Sequence, residues 1–412
     1  MNRRNLPELL CPAGDPASLE AALHFGADAV YGGLKRFGLR AFAGNFDPEE
    51  LRRAVDAVHA AGRKFYLTMN SLPYDDEMEA FVEAGREAMR AGVDAVIVSD
   101  LGAIRMLKRE IPALPVHVST QANTLNTPAI EQYLEMGCER VILARELSLD
   151  RIRTLAANVR GRMELEVFVH GASCMAYSGR CLLSAYLTGR SGNRGACTQP
   201  CRWKYSVMEE KRPGEYYPVA EDENGTYLFS AKDLCLMPLL SELAEAGISS
   251  FKIEGRMKSE YYVAVVTGAY RRALELLGAD PAAFREALPE LLQELKSASH
   301  RDSDTGFLLG APEQPGEAEG FHQEREYLAR VISGPDESGL ARLEMKNRFY
   351  TGDQLELMTP KGILPVVASG IYREKTGEWT DTLGVGGEVI RMALPACSAG
   401  DLLRGPVRNH RK

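Results

Sequence analysis

At 412 residues the chain is long enough for one large domain and a smaller one, and its apolar and charged fractions are those of an ordinary globular protein, which excludes global disorder. The net charge of −8 argues mildly against nucleic acid as a partner, although binding needs only a local basic face. No stretch approaches the apolar length of a membrane span, and Met1–Glu8 carries two arginines with no apolar run behind them, so neither a membrane span nor a secretory leader is expected and the expected location is cytoplasmic.

In chain order, a helix-like stretch, a glycine able to cap it and a short apolar strand recur. The glycines are Gly26, Gly62, Gly92, Gly137 and Gly247. The pattern predicts strands at Glu8–Cys11, Ala29–Gly33, Lys64–Met69, Ala95–Ser99, Val116–Thr120, Arg140–Ala144, Leu165–Val169 and Ser250–Glu254. Apolar strands alternating with amphipathic helices imply parallel pairing, and eight of them suit a closed (β/α)8 TIM-like barrel. A doubly wound sheet is the alternative. The first strand runs into Cys11-Pro12-Ala13-Gly14-Asp15, a loop and helix cap with no Gly-rich phosphate turn, which favours the barrel.

The barrel domain is expected over 1–275, with an insertion at about 170–233 between the seventh and eighth strands. A helical segment and Pro/Gly-rich linker follow over 276–325. Period-two alternation, as in Leu340–Met345 and Gly352–Leu357, then predicts a small antiparallel β-barrel domain over 326–412.

Four of the eight cysteines fall in the insertion, as Cys174-x6-Cys181-x15-Cys197-x3-Cys201. Four thiolates in one loop supply the ligands of a tetrahedral zinc or a cubane iron–sulfur cluster. Paired C-x-x-C knuckles, usual for zinc, are missing, and the unequal spacings suit a larger object. Zinc and unligated thiols stay open on pattern alone. The same insertion is basic: Arg190, Arg194, Arg202 and Lys204 are RNA-binding candidates, with Tyr177, Tyr186, Trp203 and Tyr205 available to stack on an extruded base. A solvated loop with aromatics packed on the cysteines is the plainer reading of these residues.

Polar residues at the C-terminal ends of barrel strands point into the catalytic mouth. His170, Glu254 and Tyr31 are the catalytic candidates there. Arg145, Arg256, Lys252, Asn70 and Gln121 are the substrate-binding candidates, the two arginines as forks for a carboxylated metabolite. Glu146 and Glu254 are the competing ion-pair partners of those arginines, and Asp100 is expected to cap a helix. No G-x-S-x-G elbow or H-E-x-x-H helix marks a hydrolase.

The run Phe168-Val169-His170-Gly171-Ala172-Ser173-Cys174-Met175-Ala176-Tyr177-Ser178-Gly179-Arg180-Cys181 resembles the signature of the collagenase-like "peptidase" family of unknown catalytic type. Pro12-Ala13-Gly14, Val118–Asn123, Ser230–Leu234 and Lys252–Arg256 match as well, so the likeness runs the length of the chain. Better-understood members of that family hydroxylate RNA or quinones. Cys197-x3-Cys201 followed by Arg202-Trp203 is similar to the bacterial tRNA-hydroxylation group. The resemblance implies a 4Fe-4S cluster on Cys174, Cys181, Cys197 and Cys201, prephenate as a required metabolite, and 5-hydroxyuridine at the wobble position of tRNA as product. It leaves a related paralogous subunit, ribosomal RNA or quinone hydroxylation and peptidase activity as alternatives, with Cys235 as a substitute ligand or a buried structural thiol.

Overall fold

In a computed structural model, the described residues are 6–39, 44–174, 176, 178, 181, 183–190, 192–200, 220–222, 225–227, 232–310, 321–381 and 386–408. The chain opens with β1 (Glu8–Pro12), α1 (Pro16–His24), β2 (Ala29–Gly33), α2 (Pro48–Ala60), β3 (Lys64–Met69), α3 (Met78–Ala91), β4 (Ala95–Val98) and α4 (Leu101–Glu110). It continues through β5 (Val116–Val118), α5 (Thr127–Glu135), β6 (Arg140–Ile142), α6 (Leu149–Val159) and β7 (Glu164–Gly171). Local chemistry sets these boundaries. The Asp47 carboxylate accepts the Glu49 and Glu50 N–H groups to start α2, and Asp100 accepts from Ala103 N–H to start α4, its expected capping role. At the other end, Gly92 closes α3 in the left-handed region at φ 81°. All five predicted glycines have positive φ.

The insertion holds α7 (Leu183–Thr188) and a hairpin of β8 (Ala220–Asp222) and β9 (Gly225–Tyr227). The chain returns as β10 (Asp233–Cys235), α8 (Leu240–Ala246) and β11 (Ser250–Ile253). Strands β1 to β7 pair in parallel in sequence order, and β11 pairs with both β7 and β1, which closes an eight-stranded parallel barrel. The doubly wound alternative is thereby excluded. All eight predicted strands are present, several ending one or two residues earlier than expected. β10 lies antiparallel against the end of β7.

After β11, α9 (Glu260–Ala279) and α10 (Pro281–Leu295) lead through β12 (Ser303–Asp304) to an eight-stranded antiparallel sheet. Its strands are β13 (Arg325–Ser333), β14 (Leu340–Met345), β15 (Gln354–Thr359), β16 (Gly362–Val367), β17 (Ile371–Arg373), β18 (Glu378–Thr380), β19 (Val389–Ala393) and β20 (Leu402–Pro406). They lie in the order β16-β15-β20-β13-β14-β19-β17-β18 around a core that includes Val331, Leu343, Phe349, Leu357 and Ile390. The seam with the barrel is polar and aromatic. Tyr327 stacks on Tyr261 and donates to Glu260, and Arg404 forks onto Glu294 at 2.6 and 2.8 Å. Among the described residues no helix is long and apolar enough to cross a membrane.

Candidate active site

The barrel interior carries charge in its lower half. Residues that pair in register across parallel strands share a face, so Glu8, Ser250 and Glu166 point inward in one row and Leu10, Lys252 and Phe168 in the next. Arg140 reaches Glu8 at 2.6 Å, Glu164 at 2.7 Å and Glu166 at 3.1 Å, while Tyr66 donates to Glu8 at 2.8 Å. Lys252 Nζ meets Glu166 at 3.0 Å, and the Tyr31 and Phe168 rings cover it at 4.4 and 5.4 Å. Burial lowers the Lys252 pKa, and the Glu166 carboxylate opposes that shift. Lys252 therefore lies buried and ion-paired, one layer beneath the mouth. Tyr31 forms part of the mouth's floor, its hydroxyl donating to the Ile253 carbonyl at 2.9 Å.

Above this floor, the Arg256 guanidinium lies in the mouth, 5% exposed, and donates from Nη1 to Thr68 Oγ1 at 2.8 Å. It passes so close to Gly33 that a Cβ there would stand 2.3 Å from Nη1, which explains a residue without a side chain at this strand end. Arg145 stacks on Phe168 with its Cζ 3.9 Å from the ring centroid and donates to the Ala172 carbonyl at 2.9 Å. Both predicted arginines thus reach the rim, together with half-buried Glu254. Asn70 accepts from Leu39 N–H through Oδ1, and Gln121 Oε1 accepts from Ser99 Oγ at 3.4 Å. Neither is the cap of the next helix.

His170 departs from expectation. Register shifts at the end of β11, so that Lys252 pairs with Phe168 but Ile253 pairs with His170. The extra residue, Val169, puts His170 on the outer face with Ile253. There the imidazole packs against Tyr270 and Tyr262 of α9, 3.4 Å from the Tyr270 hydroxyl, and burial pushes its pKa down to about 4. A strand-end position does not carry His170 into the mouth, and the expectation that it does is corrected.

Of the cluster candidates, Cys174 is exposed, and Cys181 and Cys197 are partly buried; Cys201, Arg202 and Lys204 lie outside the described residues. So do Tyr177, Trp203, Tyr205 and the Tyr186 side chain. Among the described residues no three metal-ligating side chains converge. The local chemistry nevertheless fits thiolate ligands: Leu183 N–H points at Cys181 Sγ at 3.4 Å and Gln199 N–H at Cys197 Sγ at 3.3 Å, each from two residues on.

The insertion is fastened to the mouth by side chains. Arg194 forks onto Glu77 at 3.0 and 2.6 Å, donates to the Leu72 carbonyl and lies over the Tyr74 ring. It bounds a cavity of about 200 Å3 shared with Arg36, Phe37 and Ser71. Arg194 thus makes a docking contact with the β3–α3 loop, whereas Arg190 is exposed. The Arg194 guanidinium and the Tyr74 N–H hold the Glu77 carboxyl down to about 2. A depressed carboxyl contributes stability above its ordinary value and loses it as pH falls towards 2. Docking should therefore hold at pH 5 and loosen on acidification towards pH 2, with Glu77→Gln loosening it already at pH 7. Limited proteolysis of the insertion as a function of pH checks this, and equal cleavage of wild type and variant at pH 7 would refute it.

Models of Peptidase family U32 and of the Peptidase family U32 C-terminal domain match residues 14–318 and 323–404. The chain belongs to peptidase family U32. Among U32-like relatives, "tRNA hydroxylation protein P" of Escherichia coli is 37% identical over 398 residues, covering 86% of this chain and 87% of the relative. "tRNA hydroxylation protein P1" of Bacillus subtilis is 37% identical over 358 residues, covering 86% and 84%. A "Collagenase" of Porphyromonas gingivalis is 32% identical over 369 residues, covering 86% of each.

Outside the insertion, this U32 chain's thiols are poorly suited to attack. Burial pushes Cys11 and Cys138 up to about 12 and Cys397 to about 11, and raises Cys235 as well. A nucleophilic cysteine needs the opposite shift. Cys235 packs beside Tyr270 in the core, as a structural thiol does. Sequence reasoning missed Thr68 and Glu77. Thr68 was accessible by parity, being two residues beyond the inward Tyr66. Nothing local marks Glu77, whose partner is 117 residues away.

Proposed function

We propose that this chain is an iron–sulfur RNA hydroxylase that forms 5-hydroxyuridine at the tRNA wobble position and depends on prephenate. The coarser part, RNA hydroxylation, has the support of relatives that carry that activity in their names. The observation that carries the reading is the placement of the cysteine insertion: the β3–α3 and β6–α6 loops fasten it to the rim of a barrel whose mouth holds Arg145 and Arg256. Cys174, Cys181, Cys197 and Cys201 would hold the cluster, which, with a thiolate on each of its four irons, would supply electron transfer. In this reading the arginines fork the carboxylates of the metabolite over a floor of Tyr31 and Phe168, and Glu254, at the rim, moves a proton. tRNA is the expected macromolecular partner, engaged through Arg190 and the basic residues after Cys197, in the cytoplasm.

The collagenase relative supports a second reading, proteolysis, which the raised thiol pKa values outside the insertion disfavour. Nucleoside mass spectrometry separates the two. A deletion strain should lack 5-hydroxyuridine in its tRNA and regain it with the gene, whereas an unchanged nucleoside profile together with gelatin cleavage by iron-free protein would restore the peptidase. If Arg256 forks a carboxylate, Arg256→Lys should lower turnover on the order of a hundredfold, because a point ammonium reproduces neither the fork nor the Thr68 contact. The cluster spectrum should be intact. Wild-type turnover by that variant would remove Arg256 from the binding site.

A further inference from the structure

Two adjacent residues after β6 hold the cysteine loop on either side of Cys174. Arg145 donates to the Ala172 carbonyl, and Glu146 takes two bonds from Ser178, the backbone N–H at 2.6 Å and the hydroxyl at 2.6 Å. Ser178 is buried and sits at φ 41°, in the left-handed region that a serine rarely occupies. It lies midway along the Cys174-x6-Cys181 run. The backbone at Ser178 thus holds a conformation that a serine does not favour by itself, with a carboxylate from another loop bound to its N–H and hydroxyl. The entry to the loop is fixed separately. Gly171, at φ 107°, lies against the Glu254 carbonyl, which would stand 2.3 Å from a Cβ.

We propose that Glu146 is a positioning residue for the metal-binding thiols: by holding Ser178 in the left-handed conformation it sets the separation of Cys174 from Cys181. The inference rests on the reading of the insertion as a cluster site, but its geometric core concerns the spacing of two thiols. Glu146 touches neither sulfur in this role. It acts as outer-shell carboxylates act, by orienting the segment that carries the ligands. The mechanism has a specific signature. Because the carboxylate compensates for a serine at positive φ, a glycine at 178 removes the need for it.

The test uses the full chain and two probes. Cobalt(II), read by its thiolate charge-transfer absorption, measures metal affinity, and a short thiol-bridging reagent measures how readily Cys174 and Cys181 are linked in metal-free protein. Glu146→Ala should weaken cobalt affinity roughly ten- to a hundredfold and slow the bridging. Glu146→Gln, which keeps the volume, should act in the same direction and covers the case in which the alanine variant misfolds. Ser178→Gly in either background should restore both readouts, a rescue that general destabilisation does not give. Wild-type bridging and affinity in both single variants would overturn the proposal, as would failure of the glycine to rescue a folded variant. Should wild-type protein take up no iron while the bridging still responds to Glu146 and is rescued at Ser178, the positioning role stands and the iron–sulfur reading falls.

Discussion

Replacing Arg140 with methionine is expected to destabilise the fold by about 3–5 kcal/mol, the cost of removing one partner from a buried ion pair. The Arg140 side chain is 4% exposed and bridges Glu8 and Glu166, itself wholly buried, on the inner face of the barrel. Methionine fills much of the volume but leaves both carboxylates short of a cation. Glu166 keeps Lys252, and Glu8 keeps hydrogen bonds from Tyr66 and Ser250, which places the expected loss towards the lower end of the range. Glu164, half exposed, is the internal control. Glu164→Gln removes a contact screened by water and should cost no more than about 1 kcal/mol. Urea midpoints at unchanged slope measure both values. An Arg140→Met protein within 1 kcal/mol of wild type, on the same estimate, would mean that the charges inside the barrel are adequately hydrated or paired without it.

The second large effect concerns the proposed cluster. Protein purified without oxygen should be brown and contain about four irons per chain, as a cubane on four thiolates implies. Cys197→Ala should abolish both the colour and tRNA hydroxylation, since three thiolates leave one corner unligated and Gln199 N–H loses its acceptor. Cys235→Ala should keep the iron, because that thiol is buried beside Tyr270 at the β7–β10 pairing. Iron in Cys197→Ala equal to wild type would remove Cys197 from the ligand set. Stoichiometric zinc in place of iron, after anaerobic reconstitution of wild type, would replace the cluster reading altogether.

The barrel was legible because its signals are local. A glycine just after five of the helices and a short, largely apolar strand beyond it need no knowledge of the rest of the chain, and Gly92 before Ala95–Val98 behaves as such reasoning expects. Parity within strands carried further information about the interior. Arg140, Glu166 and Lys252 sit at inward positions among apolar neighbours, and that alternation marks a charged lower layer where strand-end logic assigned Lys252 to the mouth. His170 was beyond such reasoning, since one extra residue in β7 reverses its face and bulges leave no reliable trace in a single sequence. Arg194 was illegible for a different reason. Its basic neighbourhood suggested phosphate, but the carboxylate it meets belongs to another loop, and only tertiary structure brings the two together.

The placement of the insertion also has a consequence for synthesis on the ribosome. Residues 172–249 separate β7 from β11, the strand that joins β7 to β1. At ~5–20 residues per second, these roughly 80 residues take about 4–16 s to translate. Throughout that interval seven parallel strands exist without the eighth, and the free edges of β1 and β7 expose unpaired peptide groups to other nascent chains. β10 emerges before β11 and pairs with the far end of β7, so one edge is partly shielded during the wait. The thiol-bearing segment is made in the same window, so loading of the proposed cluster would overlap with barrel closure in the life of each new molecule.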